Sequence, residues 1–120
     1  MNLKSNLDQL FQEFQSCQNI LTAIGDEMRQ YLILVMLQSG QCSGMRVGDI
    51  ASRTNLSRPA VSHHLKILKD AGIIKMRREG TKNYYYFDAD MEAFDQLIDM
   101  LVHAKTIMLQ LPDRSGKEDL

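Results

Sequence analysis

The chain has no tryptophan and only two prolines and two cysteines among its 120 residues. Cys17 and Cys42 cannot build a disulfide framework, and their spacing matches no zinc-binding pattern. So few cysteines suit a reducing compartment. Long apolar runs are missing too. The longest, Tyr31 to Leu37, falls far short of the roughly 20 residues that a membrane-spanning helix needs. The first twenty residues mix polar and apolar side chains and contain no leader-like apolar stretch. A cytoplasmic protein with no membrane partner is expected. A glycine-rich phosphate loop, a Ser/His/Asp or Cys/His set and a working pair of carboxylates are all lacking. Neither an enzyme nor a bound cofactor is expected.

The net charge is only −1, but it is unevenly spread. Between Arg53 and Lys82 there are eight basic residues (Arg53, Arg58, Lys66, Lys69, Lys75, Arg77, Arg78 and Lys82) against two acidic ones, Asp70 and Glu79. The middle of the chain therefore carries a positive surplus, and the flanks are acidic. Such a patch fits a polyanion, although a solvated charged surface would look the same.

Residues 3–22 carry apolar side chains at helical spacing and read as one amphipathic helix. Gly25 interrupts it, and Asp26 caps a second helix. That helix is apolar nearly all round through Tyr31 to Leu37, which predicts a central buried helix. Residues 40–45 form a loop. A short helix follows from Val47 to Arg53, then a turn at Thr54-Asn55-Leu56. Ser57 caps the next helix, with Pro59 in its first turn and Val61, Leu65 and Leu68 as its buried stripe. Two β-prone runs, Ile73 to Arg78 and Asn83 to Phe87, are joined by Glu79-Gly80-Thr81-Lys82 as a hairpin. A last helix spans about Asp90 to Leu109, and residues 112–120 have little reason to be ordered.

Short helix, three-residue turn, capped helix and basic hairpin together describe a winged helix-turn-helix. The second helix turns Arg58, Ser62, His63, Lys66 and Lys69 outward, all able to donate to bases or phosphates. Its first turn should also present free N–H groups to a phosphate. Arg77, Arg78 and Lys82 lie near the hairpin tip, placed for the flanking backbone or minor groove.

The run from Ser57 to Gly72 (Ser57-Arg58-Pro59-Ala60-Val61-Ser62-His63-His64-Leu65-Lys66 and onward) closely resembles the recognition helix of ArsR-type repressors. Arg77-Arg78-Glu79-Gly80 followed by Tyr84-Tyr85-Tyr86-Phe87 resembles their wing. Ile24-Gly25-Asp26-Glu27-Met28-Arg29 is similar to the start of their second helix. The resemblance implies a mainly α fold of about five helices with a two-stranded wing. It implies a homodimer through the first and last helices, and release from double-stranded operator DNA when an inducer binds. By that resemblance Ser57, Arg58, Ser62, His63 and Lys66 contact DNA, and we add Pro59, Arg77, Arg78 and Lys82. Helical spacing nominates Leu7, Leu10, Phe14, Phe94, Leu97, Ile98, Leu101 and Met108 for the dimer seam. The expected organisation is a single domain: a dimerisation helix at 3–22, a winged core at 24–88, a dimerisation helix at 90–109 and a flexible tail.

Two departures from the family stand out. Its best-known inducer site is a Cys-x-Cys at the start of the first helix of the helix-turn-helix. Here those positions are Arg46 and Gly48. Its other common site lies on the last helix, where Asp90, Glu92, His103 and Thr106 make a poor transition-metal set. No metal site is expected, and the residues identify no small-molecule or metal inducer. The adjacent His63 and His64 point about 100° apart on a helix and cannot share one ion. Two rival readings remain: a winged helix used only for protein contacts, and a thiol-based redox or metalloid sensor using Cys17 and Cys42.

Overall fold

A computed structural model of the chain describes residues 2–88, 91–112 and 115–116. Six helices and one hairpin follow in the order α1 (Leu3–Ser16), α2 (Gln18–Ile24), α3 (Glu27–Gln38), α4 (Val47–Thr54), α5 (Arg58–Asp70), β1 (Ile74–Glu79), β2 (Lys82–Phe87) and α6 (Glu92–Gln110). The expected start of the last helix at Asp90, and most of the tail, lie outside the described residues.

The single helix expected over 3–22 is two helices, which raises the count from about five to six. The break is at Cys17, whose N–H is shared between the carbonyls of Glu13 and Phe14, both at 3.1 Å. Its ψ of 6° leaves the helical region, and its side chain, 2% exposed, turns into the core at the corner. Burial raises the Cys17 thiol pKa, and the nearby Glu13 carboxylate raises it further. A buried thiol that resists ionisation is ill-suited to redox or metal sensing.

Capping chemistry sets the helix starts. Asn2, Asp26 and Ser57 each accept a hydrogen bond from the backbone N–H three residues on. The core gathers Ile20, Ala23, Leu32, Met36, Met45, Ile50, Val61, Leu65, Leu68, Ile73 and Ile74 beneath α5. The hairpin is antiparallel, with Ile74 opposite Phe87 and Glu79 opposite Lys82. The turn is therefore just Gly80-Thr81, with Gly80 at φ +64°, a conformation that favours glycine. Met45 bonds Tyr85 through both backbone groups at 2.8 Å and extends the wing by one bridge.

Two features depart from a closed globule. The expected central helix, α3, buries only one side: Arg29, Leu32, Val35 and Met36 face inward, while Tyr31, Leu34 and Leu37 are exposed. The molecule also measures 63 × 31 × 23 Å with a radius of gyration of 18.9 Å. A compact domain of this length has roughly 13.5 Å. Among the described residues, α1 exposes Leu3, Leu7, Phe11 and Phe14, and α6 exposes Ile98, Leu101, Val102, Met108 and Leu109. Of the residues nominated for the dimer seam, Leu10 and Leu97 are already buried within one protomer, at 6% and 5% exposure, and Phe94 packs half-buried against the core. Leu7, Phe14, Ile98, Leu101 and Met108 remain exposed.

Candidate nucleic-acid interface

Helix α4 ends in Asn55, whose left-handed backbone (φ +60°) reverses the chain, and Ser57 then starts α5. Ser57 Oγ accepts from the Ala60 N–H at 3.2 Å, and the Ser57 carbonyl accepts from the Val61 N–H at 3.0 Å. Pro59 has no N–H to offer. These bonds occupy most of the first-turn donors that the sequence suggested for a phosphate, and leave only the Arg58 N–H outside them. The helix start is fixed by these bonds, and most further contacts from it would fall to side chains.

Val61, Leu65 and Leu68 hold α5 to the core, while Ser62, His63, Lys66 and Lys69 are exposed along its outer face. Lys66 pairs with Asp70 at 3.0 Å. Both side chains are well exposed, so a phosphate can displace that weak pair. Arg58 is exposed but bends back over α4. A Cβ added at Gly48 would lie 3.0 Å from its guanidinium. Thus Gly48, at a position where the resembled repressors carry a cysteine, leaves room for an arginine at the α4–α5 corner.

On the wing, the register puts Lys75, Arg77 and Glu79 on one face with Tyr86, Tyr84 and Lys82. The Arg77 guanidinium lies 5.1 Å from the Tyr84 ring centroid and 5.7 Å from that of Tyr86, and its Nε donates to Glu79 at 2.8 Å. Arg77 is thus half-buried in a cation–π stack rather than reaching out from the tip. Arg78 donates to the Gly80 carbonyl at 3.0 Å, and both it and Lys82 are exposed. Those two are the outward cations nearest the wing tip.

Arg29 was not singled out as a functional position by the sequence pattern. It is 9% exposed and donates to the Ala23 carbonyl at 2.8 Å and the Thr22 carbonyl at 2.9 Å. Its Nη1 also reaches His64 Nδ1 at 3.3 Å. One side chain therefore satisfies the C-terminal carbonyls of α2, where a cation suits the helix dipole, and braces α5 from behind. The available signal was its register: position 29 falls on the buried stripe with Leu32 and Met36.

Arginine can only donate, so His64 Nδ1 accepts and the ring is neutral. Burial lowers the His64 pKa, with Arg29 and His63 adding to the shift and Asp26 opposing it. As pH falls below the ordinary histidine value of 6.5, the unfolded chain takes up this proton before the folded one does. Stability contributed by a neutral His64 is therefore present above that value and is lost on acidification. Urea midpoints at pH 7.5 and 5.5 should fall further for the native chain than for His64→Asn, whose amide oxygen can accept from Arg29 without titrating. Equal falls would refute this role for His64.

His103 is engaged on one ring nitrogen. Its Nδ1 meets Glu13 Oε1 at 2.5 Å and ties α6 to α1. Glu92 and Thr106 are exposed elsewhere on α6, and Asp90 lies outside the described residues. Among the described residues no three His, Cys, Asp or Glu side chains come together as a metal-binding group. No helix among them is long and apolar enough to cross a membrane.

Residues 29–76, from the start of α3 into the wing, match the model of a family described as bacterial regulatory protein, arsR family. An uncharacterized helix-turn-helix-type transcriptional regulator of Methanocaldococcus jannaschii is 35% identical over 91 residues, which cover 75% of this chain and 99% of that protein. The transcriptional repressor SdpR of Bacillus subtilis is 45% identical over 67 residues, covering 56% of this chain and 70% of the repressor. Among solved structures, the homodimeric winged helix-turn-helix DNA-binding domain of a possible ArsR-family regulator from Mycobacterium bovis superimposes with a TM-score of 0.52. It is 21% identical and covers 95% of this chain and 96% of that one, which speaks to the fold alone. With a capped second helix, a basic wing, the family model over residues 29–76 and one regulator matched over 99% of its length, this chain belongs to the ArsR family of DNA-binding transcriptional regulators.

Proposed function

We propose that the protein is a homodimeric, non-enzymatic repressor in the bacterial cytoplasm, seated on a palindromic operator and released by an effector. The carrying observation is the outer face of α5. Ser62, His63, Lys66 and Lys69 stand exposed between a rigid cap and a fully buried stripe, beside the basic wing. Pairing of the exposed α1 and α6 stripes would relate two α5 helices by a two-fold axis. They then enter successive major grooves about 34 Å apart. A protein-contact module would have no use for that polar donor face. A thiol switch is disfavoured because Cys17 is buried.

Binding-site selection tests the reading. The native chain should recover an imperfect palindrome with half-sites about one helical turn apart. His63→Ala should lose preference at one or two positions, worth ~1–3 kcal/mol of discrimination each, with the dimer intact. If both proteins select the same site with the same preference throughout, α5 is not the reader.

The wing supplies affinity rather than sequence. Arg78→Ala and Lys82→Ala should each weaken all sequences alike and lower the log–log salt slope by about one unit. Arg77→Ala should change the slope less, because that cation is held by Tyr84, Tyr86 and Glu79. Affinity that does not vary with salt would eliminate the phosphate footprint.

A further inference from the structure

A cavity of about 230 Å³ opens where the end of α3, the loop before α4 and strand β2 meet. Met36, Leu37, Cys42, Met45, Tyr85 and Phe87 line it with Gln41 and Tyr86 beside them, and among the described residues no charged side chain or histidine takes part. An ion entering such a site would lose its water without gaining a partner. An uncharged ring compound loses little and gains contact with aromatic rings and two methionines. The volume fits a molecule of one or two rings.

The position matters as much as the lining. The loop bends around the cavity through Gly40 (φ +68°) and Gly44 (φ +121°). A Cβ at Gly44 would lie 3.1 Å from Tyr84 Cβ and 3.2 Å from the Tyr85 carbonyl, so loop and wing touch directly there. The paired Met45–Tyr85 hydrogen bonds clamp the same contact. A guest between α3 and β2 sits against that clamped contact, so any difference in its fit between two wing positions shifts the wing relative to the helix-turn-helix.

We propose that this cavity at the root of the wing is an effector site for a small, uncharged, ring-bearing molecule, and that occupancy displaces the wing. Its regulatory consequence rests on the DNA-binding reading above. None of the α1 and α6 stripe residues, nor Arg46 or Gly48, lines the cavity, and Cys42 serves as part of its wall rather than as a ligand.

The probe is 2-naphthol, uncharged at neutral pH and fluorescent where a chain without tryptophan is dark. Titrated into the isotope-labelled full chain, it should shift the amides of Gly40, Cys42 and Phe87 saturably. Gly80 at the wing tip should shift with the same midpoint. Saturation should slow alkylation of Cys42. Cys42→Phe, at an exposed loop position, should abolish these changes by filling the space, while Cys42→Ser keeps the amide shifts. Operator affinity should fall about fivefold or more at saturation. Shifts confined to α1 and α6, an unmoved Gly80, native binding by Cys42→Phe, or unchanged operator affinity would each overturn the proposal. If the ligand-free protein binds no DNA even at low salt, the regulator reading fails, and the amide shifts still decide the cavity.

Discussion

Glutamate at both Ile98 and Leu101 is expected to split the dimer into monomers or drive the protein out of solution. Both side chains are more than half exposed in the single chain, on a stripe of α6 that includes Val102, Met108 and Leu109. An isolated domain rarely leaves so many large apolar residues in water on one helix. The exposed stripe on α1 and the radius of gyration of 18.9 Å, large for one domain of this length, are what the proposed pairing of two copies would account for. Two buried, unpaired carboxylates per protomer would cost the seam several kcal/mol. Operator binding should then fall ~10²-fold or more, because two half-sites are no longer gripped by one particle. Gln96→Glu adds one such charge at an exposed polar position of α6 and should leave the dimer intact. Sedimentation at micromolar protein decides the matter. A native chain that sediments as a folded monomer, or a doubly substituted chain that stays dimeric, would remove the basis of the proposal. Leu97 is the wrong position for this test. It is buried in the protomer, and a charge there would unfold the arm rather than part the dimer.

Most of the helix-turn-helix and hairpin was legible from residue order. Ser57, Pro59 and the Val61–Leu65–Leu68 stripe act through local chemistry, and local chemistry needs no knowledge of the rest of the chain. The same holds for the left-handed turn at Asn55 and for the hairpin glycine at Gly80. The break at Cys17 was not legible. Apolar spacing runs through it from Leu10 to Ile20, with no glycine or proline to mark it, and only the packing of α2 beneath α5 forces the bend. Helix α3 was misjudged for a related reason. Its all-round apolarity reads as burial, yet one flank is exposed in the single chain. The wing differs in another way. Arg77 counts as a free cation until the register sets it against Tyr84, after which the stacking is a cross-strand consequence.

Arg29 escapes a linear reading because an arginine is by default a surface residue. Its removal should have the largest effect of any single substitution outside the apolar core. Arg29→Leu preserves bulk on the buried stripe but withdraws the donors to Ala23, Thr22 and His64 together. Two carbonyls at the end of α2 and a histidine nitrogen are then left short of partners in a site that water reaches poorly. A hydrogen bond from a charged donor contributes ~1.5–3 kcal/mol, and each acceptor left unmet costs ~1–3 kcal/mol. These terms overlap, so a loss of about 3 kcal/mol is expected, roughly 10 °C in Tm for a chain of this size. Arg29→Lys keeps the charge at the α2 terminus but offers one nitrogen where the guanidinium offers three, and should fall between. Urea unfolding at matched protein concentration measures both, since the proposed dimer would make the midpoint depend on concentration. A loss below about 0.5 kcal/mol for Arg29→Leu, no more than an ordinary surface substitution, would mean the brace is dispensable. The same variant separates stability from recognition. His64 is on α5 behind the proposed reading face, so loosening it should lower affinity for every operator, while the preferred sequence, proposed to be set by His63 and its outward neighbours, should stay the same.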